Sequence, residues 1–281
     1  MRIGLSGAPE SARRVGSAHA IRRCAELGLA ALEVAWVQKV TITPRGAAPI
    51  RAAAEKWGVA LSVHAPYYIN LNSHDEAKLA ASIDRIVAAG CGAALIGARD
   101  VVLHLGYYHD DSPADVLQRV ATGLVEARER LDAAGGGDVV LRPEAMGRLS
   151  QFGDLDEVLS LCRLRPGLAP CVDIAHLHAR TGAVNTAAEF RALWDQVAAR
   201  LGEEALTRAH VHISGIEYGH RGEVRHLAFG DADLDYRAFL EVLLARGVRG
   251  TVVVESPARE RDALLLADAW REVVDRGAPA G

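Results

Sequence analysis

Lysine is nearly missing from this chain. Lys39, Lys56 and Lys78 are the only ones, and arginine carries the remaining basic charge. With 32 basic against 36 acidic residues the formal net charge is −4, so no basic excess advertises a nucleic-acid binder. Cysteine is sparse. Cys24, Cys91, Cys162 and Cys171 form no C-x-x-C pair, and none sits near a histidine at zinc-finger spacing. That suggests no structural zinc site and points to free buried thiols in a reducing cytoplasm. No apolar run approaches the roughly 20 residues a membrane span needs, so no membrane association is expected. The strand-like run Arg2–Leu5 opens the sequence with no signal peptide before it. After that first strand comes Ser6-Gly-Ala-Pro-Glu10 instead of a G-x-G-x-x-G phosphate loop, which weighs against a doubly wound open sheet.

What is present is a regular alternation. The 281 residues are 50% hydrophobic and 24% charged, ordinary for a chain with a sizeable core, and a single (β/α)₈ barrel typically takes about 250. Short apolar runs predict strands at Arg2–Leu5, Ala31–Val34, Ala60–Ala65, Asp100–Leu105, Val139–Arg142, Ala169–Val172, Ala209–Ile213 and Thr251–Val254. Amphipathic stretches between them predict helices at Ser17–Leu27, Glu76–Ala89, Ala114–Ala133, Thr186–Leu201, Leu234–Ala245 and Arg261–Val274. Gly28, Gly135 and Gly247 stand where helix C-caps belong. Nothing reads as a linker, so residues 1–281 are expected to form one α/β TIM barrel, with 277–281 a frayed tail.

Barrel chemistry sits at the C-terminal ends of the strands. There the sequence places His64, His104, Glu144, Asp173, His212 and Glu255, one for each of the last six strands. One histidine at a strand end is usually structural; six ligand-type residues on consecutive strands converge on one mouth. Imidazoles and carboxylates without a thiol suit a catalytic Zn²⁺, Mn²⁺ or Fe²⁺ site. His176 follows Asp173 by three residues, and His226 follows Glu223 by three in a Gly-rich loop after the seventh strand. His210 shares the His212 face but lies deeper, and is the alternative if the register is off by two. His19, His74 and His178 read as surface or helix residues, and His109 and His220 as loop residues at the rim.

The segment Ser62-Val-His-Ala-Pro-Tyr-Tyr-Ile-Asn-Leu71 resembles the third-strand signature of the endonuclease IV family of apurinic/apyrimidinic endonucleases. Val172-Asp-Ile-Ala-His176, His212-Ile-Ser-Gly-Ile-Glu217 and Val254-Glu-Ser-Pro257 follow in the family's order, so the likeness spans nearly the whole chain. The resemblance implies a TIM barrel with a zinc centre that cuts damaged duplex DNA 5′ to an abasic site, leaving a 3′-hydroxyl. By match, Glu144 bridges two zincs, His64 and His104 complete the first, and Asp173, His212 and Glu255 the second. A third takes His176, His226 and an acidic residue just before it. Catalytic roles fall to Glu144 and Glu255. The chain departs from the family at that last acid: Asp-x-His is usual, whereas Gly222-Glu-Val-Arg-His226 puts Val224 in the matching place and Glu223 one residue early. Two or three Zn²⁺ ions are therefore expected, with Mn²⁺ as an alternative, in a monomer.

The chemistry suits the residues, because a divalent metal lowers the pKa of water from about 15.7 toward about 7 and neutralises a phosphodiester's oxygens. Tyr67 and Tyr68 are expected to bind DNA, a tyrosine at the Tyr67 position inserting beside the flipped abasic nucleotide in the family. Gln38, Lys39, Arg221 and Arg225, with Arg13, Arg14, Arg45 and Arg148, lie in or near loops facing the mouth and could contact phosphates. Trp36 reads mainly as core. The main rival is a single-metal sugar isomerase or epimerase of the xylose-isomerase-like group, for which Glu144, Asp173, His212 and Glu255 suffice. A barrel kept only as a binding module is the third reading, and the full ligand set weighs against it.

Overall fold

A computed structural model of the chain describes residues 1–12 and 16–277. Arg13, Arg14 and residues 278–281 of the expected tail lie outside the described residues. Among the described residues ten strands occur in chain order: β1 Arg2–Ser6, β2 Ala31–Ala35, β3 Ala60–His64, β4 Asp100–Leu103, β5 Val140–Pro143, β6 Cys171–Asp173, β7 Ala209–Ile213, β8 Gly215–Gly219, β9 Gly222–Leu227 and β10 Gly250–Val254. Eight of them form one parallel sheet in the order β5-β4-β3-β2-β1-β10-β7-β6. Parallel bridges from Leu141 to Leu168 and from Glu144 to Cys171 bring its two edges together. The eight-stranded α/β barrel expected from the alternation is therefore present.

The helices depart from expectation where local signals mislead. Glu76–Ile96 runs through Gly90 and Gly92, where a C-terminus near Ala89 was predicted. Those glycines are packing notches: a Cβ on Gly90 would collide with the Leu131 side chain and one on Gly92 would sit 2.7 Å from Trp36. Trp36 is thus a packing residue. By length and composition this helix could cross a membrane, but its Ile83, Ile86, Ala89, Ala93 and Ile96 are buried in the core. Pro44–Trp57 was not foreseen because only Ala47 is buried along it, so no apolar stripe marks it. Pro44 opens it, and Thr43 caps it by accepting from the Gly46 N–H at 3.2 Å. Leu155–Cys162 and Ile174–Thr181 are eight-residue helices, too short to show a period. Gly28, Gly135 and Gly247 take positive φ past helix ends, as expected of C-caps. The segment after β7 is an antiparallel β8–β9 hairpin where a loop was expected.

Barrel interiors are usually filled by branched apolar residues. This one is polar. Register pairs Glu33 with Ser62, Cys171 with His210 and Asp173 with His212, placing each pair on one inward face. Glu33, Ser62, Cys171 and His210 are all at most 4% exposed. Beneath them Arg142 donates to Asp100 at 2.6 Å and to the carbonyls of Pro170 and Arg208 at 3.0 and 2.9 Å, plugging the N-terminal end. The apolar core lies outside the strands, against the helices.

Candidate metal centre at the barrel mouth

All nine ligand candidates meet in one place. His64 Nε2 and His104 Nε2 lie 3.2 and 3.0 Å from Glu144 Oε2. The other Glu144 oxygen faces His176 Nδ1 at 3.3 Å and His212 Nδ1 at 3.5 Å. His212 Nδ1 also lies 3.6 Å from Glu255 Oε2 and 4.0 Å from Asp173 Oδ2. Three ligand groups result, each compact enough to share a cation: His64–His104–Glu144, Glu144–Asp173–His212–Glu255, and Asp173–His176–His226. Glu144 belongs to two of them, and the family resemblance implies a bridging place for it. Strand geometry explains the convergence, since side chains two apart share a face and every β-end opens on the same mouth.

Glu223 reaches the third group by an unforeseen device. In a regular strand residues three apart face opposite sides, so Glu223 and His226 should diverge. The hairpin pairs Ile216 with His226, Glu217 with Arg225, then Tyr218 with Glu223, with a register shift in between. Val224 is the extra residue of a β-bulge, which returns Glu223 to the His226 side. Glu223 Oε2 then lies 3.7 Å from His176 Nε2, which faces His226 Nε2 at 3.2 Å. The hairpin is seated on the 146–151 loop, where Arg148 bridges Gly222 and the Gly147 carbonyl accepts from Glu223 N at 3.2 Å.

The donor chemistry fits divalent cations. Glu144 Oε1, Asp173 Oδ2 and His212 Nδ1 are buried, converge, and have no hydrogen-bond partner. Orphaned buried acceptors are costly, and a cation would satisfy them. Burial alone would raise the Glu144 pKa, but His104 and the other imidazoles outweigh it and hold it well below the usual carboxylate range. Burial opposes charge on His64 and His176 too; Glu144 on the first and chiefly Asp173 on the second overcome it, raising them to about 9 and about 10. Protons on histidine thus supply the positive charge that the carboxylates demand.

A pocket of about 470 Å³ opens over these residues. Its walls add Tyr67, Tyr107, Met146, Arg148, Gln151, Val224 and Arg225. Tyr67 is 49% exposed with its ring 5.2 Å from that of His64, and Tyr68 is 64% exposed beside it. Gln38, Lys39, Arg45 and Arg221 are exposed but outside the pocket wall. Arg225 is engaged by Glu217 at 2.6 Å. Of the other histidines, His178 lies on the helix Ile174–Thr181, within its reading as a surface or helix residue; it is 2% exposed and joined to Asp233 at 3.2 Å. His210 lies below the centre, as its deeper position implied. Sequence reasoning missed Glu33, which is fully buried against His212; the signal available was a lone charge inside the apolar run Ala31-Leu-Glu-Val-Ala35.

Comparison with known proteins is consistent with this geometry. A family model described as a xylose isomerase-like TIM barrel matches residues 21–276. An uncharacterized protein of Methanocaldococcus jannaschii is 36% identical over 96% of this chain and 97% of its own length. A probable endonuclease 4 of Nitratidesulfovibrio vulgaris is 28% identical over 81% of this chain and 83% of its own. Among solved structures, endonuclease IV from Thermus thermophilus superposes with a TM-score of 0.76 at 21% identity, covering 98% and 100% of the two chains. A D-tagatose 3-epimerase-like protein superposes with a TM-score of 0.73 at 20% identity, covering 98% of each. At those identities the superpositions speak for the fold alone.

Proposed function

We propose that this chain, which belongs to the xylose isomerase-like TIM barrel family, is a metal-dependent endonuclease that hydrolyses duplex DNA 5′ to an abasic site and leaves a 3′-hydroxyl. The observation that carries the reading is the three-part ligand set, its first two groups sharing Glu144 and its last two sharing Asp173. A single-metal isomerase needs only Glu144, Asp173, His212 and Glu255. It leaves His64, in His-Ala-Pro-Tyr67, together with Glu223 and His226 without a purpose, whereas His104 and His176 fit either reading. Divalent ions, zinc in the first instance, would supply a nucleophile at neutral pH and neutralise charge on the phosphoryl and leaving oxygens.

The chain's own residues do the rest. Glu144 holds the two inner positions at a common spacing. Glu255, with 15% of its side chain exposed against 1% for Glu144 and Asp173, faces the substrate side and is placed to take a proton from the attacking water. Tyr67 and Tyr68 offer exposed rings to unstacked nucleotides, which are cheapest to extrude where the base is already missing. Arg148, Arg221 and Lys39 are exposed for phosphate contacts. The free cysteines, three of them buried, suit the cytoplasm, and the damaged duplex needs no second protein subunit.

A second reading stays in view because the four-residue group Glu144–Asp173–His212–Glu255 is complete by itself. It would serve a ketose epimerase, with the two glutamates exchanging a proton at carbon. One experiment separates them: zinc- or manganese-loaded protein, a duplex with one abasic-site analogue, an undamaged control, and Glu144→Gln as blank. A single chelator-sensitive cut at the lesion alone supports the endonuclease. No cut by metal-loaded protein, with epimerisation of a small ketose, gives the second reading.

A further inference from the structure

Five histidines belong to the centre, and for four of them, His64, His176, His212 and His226, both ring nitrogens face a polar partner. Three are aimed by backbone carbonyls. His64 Nδ1 lies 2.9 Å from the Ala65 carbonyl, His176 Nδ1 3.0 Å from that of Ala145, and His226 Nδ1 3.2 Å from that of Glu255. A proton on Nδ1 meets each of these carbonyls and leaves Nε2 for the centre, although His176 Nδ1 also faces Asp173 Oδ2 at 3.2 Å and Glu144 Oε1 at 3.3 Å. His212 is the exception. Its Nδ1 faces Glu144, Asp173 and Glu255, and its Nε2 points down into the barrel, in ion-pair contact with Glu33 Oε1 at 3.1 Å, a close approach at which neither atom is aligned for a hydrogen bond. We propose that Glu33 is the positioning residue of this centre: a buried carboxylate that fixes the Nε2–H tautomer and ring direction of His212, so that the Nδ1 lone pair is held at the cation position shared with Glu144, Asp173 and Glu255.

The surroundings of Glu33 suit that task and no packing need. A carboxylate with zero exposure in the middle of a barrel occupies a place where a branched apolar residue would ordinarily stabilise the fold. It is held from both sides. Ser62 Oγ donates to its Oε2 at 2.8 Å, and His210 Nε2 lies 3.1 Å from the same oxygen. That leaves Oε1 for His212. Carboxylates behind metal-bound histidines orient the ring and raise its basicity, and their loss typically costs about 10–100-fold in metal affinity. Cys171 is the competing neighbour, since its sulfur, His210 and His212 could also converge on one ion.

The inference rests on the cation part of the reading above and not on its DNA part, so it is tested on binding and not on turnover. Zinc content by mass spectrometry and affinity by chelator competition are measured for wild type, Glu33→Gln, Glu33→Ala and, as a control, Ser62→Ala. Glu33→Ala should weaken one cation of the set by about 10–100-fold with the others retained, Glu33→Gln should fall between, and Ser62→Ala should stay within about threefold. Unchanged affinity in a folded Glu33→Ala, judged by circular dichroism, overturns the proposal. Should the variants not fold, ring-nitrogen NMR of zinc-loaded wild type, labelled at histidine, reads the tautomer directly. A proton on His212 Nε2 supports the proposal; a proton on Nδ1 overturns it. A thiolate-to-metal charge-transfer band in the cobalt form, lost in Cys171→Ser, also overturns it by placing the ion beneath His212. Protein that takes up no divalent ion defeats the metal reading itself.

Discussion

The two halves of the candidate metal centre are built by different means. His64, Glu144, Asp173 and His212 sit at strand ends, at most 4% exposed, where barrel register dictates which side chains point inward. Glu223 and His226 sit on a two-stranded ribbon whose bulged Val224 is 52% exposed. A slip of one residue in a barrel strand would turn every ligand on it into the helix layer. A hairpin absorbs the same slip with one extra residue. The strand-end half depends on strict register, while the hairpin half carries its acid three residues before His226 and still brings it to the same side.

The sharpest break in that comparison is Glu144→Gln. The carboxylate joins both inner groups, and the variant leaves four imidazoles around a neutral amide. Loss of both inner cations and of cleavage is expected. The metal-free protein should also lose about 3–5 kcal/mol on urea unfolding, the usual cost of removing one partner from a buried ionic cluster. Retention of inner cations would mean the strand-end ligands do not depend on their bridge.

Next in size is Glu223→Ala. If the halves are separable, the outermost cation is lost while the inner ones keep their affinity, read as metal content after stepwise chelation. Deleting Val224 makes the complementary case. It leaves Glu-Arg-His, a spacing of two that needs no bulge to share a face, so outer-cation binding should survive. Loss of the inner cations in Glu223→Ala would show instead that the centre assembles as one unit.

The same division governs what was legible in the sequence. The eight strands and six of the nine ligand positions could be read because apolar runs ending in His, Asp or Glu have a single geometric meaning in a barrel. Asp173–His176 could be read as one helical turn, and Asp173 in fact caps that turn by accepting from His176 N at 2.8 Å. Glu223 was ambiguous because a bulge depends on which residues pair across the hairpin, a non-local property. Glu33 was hidden for another reason: a charge two residues from a strand's end looks like a solvated edge until the strand is known to line a closed interior.

Gly147→Ala tests the hairpin half more gently. The new Cβ would stand 2.8 Å from Glu223 Cβ and 3.1 Å from His176 Cδ2, so Glu223 must retreat. An outer-cation affinity about tenfold lower, with inner affinity and thermal midpoint nearly unchanged, is expected. Acid should act on both halves. Burial disfavours charge on His64 and His176, yet their carboxylate neighbours raise them to about 9 and about 10, so each must release a proton before it can bind. Cation affinity should accordingly climb with pH until about 9–10 and decline steadily below, in chelator titrations across that range.

The smallest expected effect separates two arginines of the hairpin itself. Arg225 is tied to Glu217 at 2.6 Å, so its charge is largely spent within the ribbon. Arg221 is exposed at the hairpin turn, and among the described residues no carboxylate lies within ion-pair distance of it. If the hairpin carries phosphate contacts as well as metal ligands, Arg221→Ala should weaken binding to abasic and undamaged duplex alike. It should lower the slope of log affinity against log salt by about one, and leave the single-turnover rate at saturation unchanged. Arg225→Ala should change the slope by less, because its positive charge is already matched. Equal effects from the two would mean that DNA pulls Arg225 away from Glu217, and that the ribbon rearranges on binding while the strand-end half stays fixed.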